Sequence, residues 1–191
     1  MYHRLYILIV CTLLLTAMSL ASCSVDDSPD KQFDMSYNSQ SGTPYSGKWD
    51  VSGKSIDKIL MNQLGTTFMF GAIPTMQIVQ ALFAGHAIEG VSTGAQSVAY
   101  ESAQQSDGTI VYAIKPAVWQ IEVQTDGKRH NVQLMLGPTD ASTDQQSWGK
   151  YTPKTRVLTV FLHITAYAID NDDTQPLQLK LTYTGTPITD C

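Results

Sequence analysis

Cysteine is scarce in this chain of 191 residues, and the three present cannot build a framework. Cys11 sits in an apolar leader, Cys23 at the end of that leader and Cys191 at the last position. If the leader is removed and Cys23 is modified, Cys191 is the one free thiol, so no intrachain disulfide is expected. At the chain end Cys191 also lacks the cationic, structured surroundings that turn a thiol into a nucleophile. Basic residues are few as well, 12 Lys and Arg against 17 Asp and Glu. With no basic stripe or arginine cluster to neutralise phosphates, nucleic acid is excluded as a partner. His86, His130 and His163 stand singly, without the paired histidines and glutamate of a helical zinc site, so no metal centre is expected. Glutamate occurs only at Glu89, Glu101 and Glu122, which makes a glycosidase-type carboxylate pair unconvincing. The chain has no glycine-x-serine-x-glycine elbow and no glycine loop to cradle a phosphate before a helix. Gly85, Gly90 and Gly94 read as flexible backbone in a polar connection. No repeat of 20 to 50 residues is present, which excludes solenoids and propellers. No cofactor and no catalytic residue is expected, and the chain is read as a non-enzyme.

What the sequence does have begins at residue 1. Met1 to Arg4 carries one firm positive charge, and the sixteen residues Leu5 to Leu20 carry none. This is the layout of an export signal, with an apolar run short of the ~20 residues that span a bilayer as a helix. The junction Leu20-Ala21-Ser22-Cys23 resembles the lipobox of bacterial lipoproteins. That resemblance implies cleavage before Cys23 and a lipid on its thiol, giving a signal peptide over 1–22. Ser24 to Asp30 carries Asp26, Asp27 and Asp30, with Val25 interrupting the acidic run, and is similar to the export signal that carries Bacteroidota lipoproteins to the outer face of the outer membrane. The periplasmic face is the alternative address. Residues 23–44 are expected to be a polar tether, and 45–191 a single domain. Loss of Arg4 with the signal leaves eleven basic against seventeen acidic side chains, a formal charge of −6.

Strand signals dominate from Tyr45 onward. Trp119, Ile121 and Val123 alternate with Gln120, Glu122 and Gln124, a period of two that turns one face inward. Asp126-Gly127 then supplies the positive φ angles of a tight hairpin, and Val132, Leu134 and Leu136 return to the same core. Asp107-Gly108 repeats the device between 97–102 and 109–115. The longest strand is expected over 156–169, apolar at both parities and so covered on two sides. Leu177, Leu179, Leu181 and Tyr183 alternate in a half-exposed closing strand. Lys48 to Ser52 and Thr66 to Phe70 read as further strands. One helix is expected, with Pro74 at its first position, Ile78, Val79, Leu82 and Phe83 as its stripe and Gly85 as its stop. Residues 55–62 fit either a helical turn or a strand. The fold class is therefore all-β, an antiparallel sandwich or barrel of about seven to eight strands with one short helix.

Gly47-Lys48-Trp49 has the glycine-x-tryptophan spacing that opens the lipocalin barrel, and in that likeness Trp49 would plug one end of it. The whole chain is also similar to small uncharacterised surface lipoproteins of gut Bacteroidota, a resemblance that supplies no chemistry.

Two segments are candidates for binding. Asp170, Asp172 and Asp173 offer hard oxygen ligands, but without the glycine and distal glutamate of a helix-loop-helix calcium site, and an acidic turn is the plainer reading. Residues 137–154 form a long polar connection that carries Trp148 and Tyr151. These two are the candidate ligand-binding residues, for stacking against sugar rings, although Trp148 folded back as a lid over the core is the favoured reading of that side chain. The expected function is a membrane-anchored binding module for a glycan or a protein. A lipocalin-like carrier of a small apolar ligand is the alternative, and an unrecognised hydrolase is the third class.

Overall fold

The alternating segments from Thr43 to Pro187 become eleven strands, joined so that most of them close on themselves. The computed structural model describes residues 42–137 and 146–189, and the fold below lies within the unit Asp34–Ile188. The expected signal peptide, Cys23, residues 23–41 of the expected tether and Cys191 lie outside the described residues.

In chain order the elements are β1 (Thr43–Val51), β2 (Lys54–Leu64), β3 (Thr67–Phe70), α1 (Thr75–Leu82), β4 (Ile88–Ser92), β5 (Gln96–Gln104), β6 (Ile110–Ile114), β7 (Ala117–Thr125), β8 (Lys128–Leu136), β9 (Trp148–Thr152), β10 (Val157–Ile169) and β11 (Gln175–Pro187). All pairings are antiparallel. Eight strands, β1, β2, β3, β5, β6, β9, β10 and β11, neighbour one another in that order, and β11 pairs back with β1. The ring is thus an up-and-down barrel, which leaves no end strand of its own. The remaining three strands extend from it in the order β8, β7, β4.

β10 makes both arrangements possible. Its first half, Val157 to Phe161, pairs with β9, and its second half, from Ile164 on, pairs with β8. A bulge at Thr165 separates the halves and shifts the register against both β8 and β11. The extra residue reverses the side-chain parity, so Leu158, Val160, Leu162 and Ile164 face inward before it and Tyr167 and Ile169 after it. The Thr165 hydroxyl donates to the Gly137 carbonyl at 2.6 Å, and the Gly137 amide donates to the His163 carbonyl at 2.9 Å.

All-β with one short helix is the class observed. The helix begins one residue later than expected, with Pro74 as its N-cap and not its first residue, and Leu82 ends it, with Phe83 as the C-cap and Gly85 at φ +87° just beyond. Ile78 and Val79 are fully buried. Residues 55–62 are strand, because β1 and β3 supply hydrogen-bond partners that a helical turn there would forgo. Both aspartate-glycine pairs form their hairpins, with φ +51° and +71° at Asp126 and Gly127 and +82° at Gly108. Two short strands had no clear signal. β4 is broken by Gly90 and a bulge, and β9 lies within the segment expected to be a long polar connection.

The inner face of the ring is filled by rings of another kind. Trp49 has no exposure, its indole nitrogen donates to the Ala72 carbonyl at 3.0 Å, and it packs against Phe70 and Tyr183 with centroids 4.8 and 5.4 Å away. Phe70 continues to Trp119 of β7, which joins the ring core to that of the three-stranded layer.

Candidate functional site

β9 places its two aromatic residues on different sides of the wall. Side chains alternate along a strand, so Trp148 and Tyr151, an odd number of residues apart, cannot share a face. Trp148 points outward and keeps 46 % of its surface exposed. Its nearest register partners are Phe161 of β10 and Ala113 of β6. The Trp148 and Phe161 rings lie nearly parallel, at 21° with centroids 5.8 Å apart. The outer row continues to Thr182 and Asp50 on one side and Glu101 on the other, where Glu101 is paired with Lys115 at 3.0 Å. The wall therefore carries an exposed indole, backed by a phenyl ring and bordered by short polar and mutually balanced charged groups. Trp148 does not fold back over the core.

Tyr151 points inward and is half-buried, edge-on to Tyr45 at 6.5 Å. It belongs to a tyrosine cluster at the end of the ring made by the β2–β3, β5–β6 and β9–β10 turns. There the Tyr45 hydroxyl donates to Gln63 Oε1 at 3.3 Å, Gln63 Nε2 donates to the Tyr100 hydroxyl at 2.7 Å, and Tyr100 donates to the Gly65 carbonyl at 2.7 Å. Burial pushes the phenol of Tyr45 well above its ordinary range, with Tyr112, Tyr151 and Tyr100 adding to the shift. Tyr112 is raised by burial and by Tyr100 and Tyr151, partly offset by a hydrogen bond with Gln63. The phenols of Tyr45 and Tyr112 are therefore protonated at neutral pH. Sequence reading missed the cluster because Tyr45, Tyr100 and Tyr112 look there like ordinary inward aromatics on three separate strands.

Comparison with family models, with curated proteins and with solved structures finds no match for this chain. The functional reading rests on geometry.

The polar residues singled out in the sequence are tied into turns. His86 Nδ1 meets Asp126 at 2.6 Å, and His130 Nδ1 meets Asp170 at 2.7 Å. His163 is buried on β10, at 1 % exposure. Glu89 accepts from the Gly127 amide at 2.9 Å, and Glu122 faces Arg129 at 3.9 Å. Asp170 and Asn171 take positive φ in the β10–β11 turn, and Asp170 accepts from the Asn131 amide at 2.8 Å. That backbone bond, then the His130 contact, hold its carboxyl below the ordinary range. Asp172 and Asp173 border an open depression of about 560 Å³ with Tyr167, Ile169, Asn171 and Gln175. Among the described residues no three His, Cys, Asp or Glu side chains gather as a metal would need.

Proposed function

We propose that this chain is a lipid-anchored, outward-facing, non-enzymatic binding module whose ligand is a glycan, bound on the outer wall of the barrel. The observation that carries the reading is the exposed Trp148 lying parallel to Phe161. A flat apolar face of that kind suits the C–H face of a sugar ring, and Thr182 and Asp50 of the same outer row offer polar groups for its hydroxyls. Isolated exposed apolar residues are normal on a soluble surface, but a stacked pair in a polar row is a more particular arrangement. The filled interior, with Trp49, Phe70 and Tyr183 at its centre, weighs for the wall over a ligand carried inside the ring.

Address and activity belong to one proposal: lipid on Cys23 and the acidic Asp26 and Asp27 hold the module where extracellular polysaccharide is met. Replacing Asp26 and Asp27 with Ala is expected to lower digestion by protease added to whole cells. Electrophoresis of the full chain through gels containing neutral polysaccharides tests the ligand class. Retardation is expected for at least one polysaccharide and is expected to vanish in Trp148→Ala. Equal mobility with and without every polysaccharide, or retardation that survives the substitution, refutes the wall as a glycan site.

A further inference from the structure

Beside the row that holds Trp148 and Phe161, the next row of outward side chains on the wall is of a different kind. Register carries it from Lys48 of β1 to Thr184 of β11, Thr159 of β10, Lys150 of β9, Val111 of β6 and Ala103 of β5. It contains two lysines and no carboxylate. Lys150 stands two positions along β9 from Trp148, on the same face and about 7 Å away, with Thr159 beside it as Phe161 is beside Trp148. Trp148, Phe161, Lys150 and Thr159 thus form one patch of two rings, an ammonium and a hydroxyl. On the other side of the aromatic row β11 adds Lys180, the register partner of His163.

The chain as a whole has more acid than base, 17 residues against 12, so a wall with the opposite balance stands out. Around the aromatic pair it presents Lys48, Lys115, Lys150 and Lys180 against Asp50 and Glu101. Both carboxylates are engaged, Glu101 with Lys115 at 3.0 Å and Asp50 with the Gly53 amide at 3.2 Å. Lys48, Lys150 and Lys180 enter no ion pair among the described residues. The β2 bulge opposite Lys48 adds one charge of each sign, Asp57 and Lys58, and leaves the balance unchanged. Asp107 of the β5–β6 turn senses Lys150, but less than it senses the Thr109 hydrogen bonds that hold its carboxyl low.

Stacking on Trp148 is indifferent to the charge of a sugar, whereas an ammonium two positions along the strand is not. A carboxylate at the edge of a stacked sugar meets Lys150 in a charge-assisted hydrogen bond, stronger than a neutral one. Three lysines are too few to hold a polyanion by charge alone, so stacking fixes the ligand and charge selects it. We propose, resting on the reading of the wall as a glycan site, that its preferred ligand is an acidic glycan of uronate sugars, with a sugar face on Trp148 and that sugar's carboxylate on Lys150. Lys48, three strands from Lys150 and about 14 Å away, extends the row for a further sugar of the same chain.

The test uses the full chain in detergent and titration calorimetry. Oligomers of galacturonate, glucuronate and mannuronate are the probes, each beside its methyl ester, which keeps the ring and removes the charge. At least one acid oligomer is expected to bind saturably and about fivefold more tightly than its ester, the scale of one exposed charge contact. That advantage is expected to shrink as salt is raised. Lys150→Gln is expected to bring acid and ester to equal affinity, Lys150→Arg to keep the preference, and Lys128→Gln, at the β7–β8 hairpin, to leave it unchanged. Lys150 is exposed, so its variants are expected to melt as the parent does. The proposal is overturned if no acid oligomer binds more tightly than its ester, or if the preference survives in Lys150→Gln. Esters that bind the parent and not Trp148→Ala, with no advantage for the acids, leave the glycan site standing without its charge preference, whereas no binding by any acid or ester removes both.

Discussion

Gly47 of β1 lies under the ring of Tyr183, the residue two strand positions before Gly185 on β11. A Cβ at Gly47 would stand 2.8 Å from Tyr183 Cζ and 2.7 Å from Gly185 Cα. The Tyr183 hydroxyl passes over this gap to the Ile59 carbonyl on β2, at 3.3 Å. The glycine of the glycine-x-tryptophan spacing thus makes room for a phenol, and the tryptophan two residues on packs against that phenol's ring.

Gly47→Ala is therefore expected to destabilise the fold by ~1–3 kcal/mol, the usual cost of overpacking a filled core. Gly94→Ala, at a glycine with nothing within 4 Å of the added carbon, is the control. It is expected to stay within ~0.5 kcal/mol of the parent. Urea titrations of the two variants check the contrast.

The two tryptophans at opposite extremes of exposure separate wall from core. Trp148→Ala loses one stacked pair, worth ~0.5–1.5 kcal/mol. Trp49→Ala empties the centre of the ring and is expected to cost ~3–5 kcal/mol. A fall in melting temperature for Trp148→Ala as large as that for Trp49→Ala would show that the wall residue is structural.

How far these features were legible in the sequence depends on what each one rests on. The hairpins at Asp107-Gly108 and Asp126-Gly127 and the stripe of α1 are local patterns, and they appear where the periodicities put them. β9 was not legible, because Trp148 to Thr152 contains a glycine and a lysine and owes its extension to β6 and β10, which are distant in sequence. The pairing of Trp148 with Tyr151 as one site failed for the same reason: in a loop they could converge, whereas a strand sends them to opposite sides. The tyrosine cluster joins residues from β1, β2, β5, β6 and β9, and only ring closure brings those strands together. The bulge at Thr165 is equally silent, since β10 is apolar at both parities with or without it.

The Asp170 carboxyl, held below its ordinary value of 3.8 by the Asn131 amide and then by His130, links stability to acid. A depressed folded pKa contributes stability that is present above the unfolded value and is lost as pH falls through the folded one. Asp170→Asn is therefore expected to lower the melting temperature at neutral pH, with the difference from the parent shrinking as pH drops below about 3.8. Melting curves over a pH series check this. A difference that is the same at every pH would assign the loss to the turn conformation alone.

Cys23→Ala is expected to move the protein from the membrane to the soluble fraction while circular dichroism and melting of the domain stay unchanged. The core among the described residues is built from side chains between Tyr45 and Tyr183. Continued retention in the membrane fraction, with the apolar leader uncleaved, would refute lipid anchoring at this cysteine.

Under the proposed anchoring at Cys23 the chain is pulled from its N-terminal side whenever its ligand is fixed elsewhere, and within the described fold β1 is the first strand to meet that load. That strand is hydrogen-bonded along its length on both sides, from Tyr45 against Pro187 to Val51 against Leu181 in β11, and from Thr43 against Gln63 to Val51 against Lys54 in β2. A pull on Gly42 along the strand axis loads these bonds together in shear. It does not open them one at a time, as a pull across the sheet would. Ring closure, which puts a neighbour on each side of the first strand, makes β1 the mechanically firm part of the barrel, so if the proposed anchor holds the chain under tension, a bound ligand is expected to let go before the fold does.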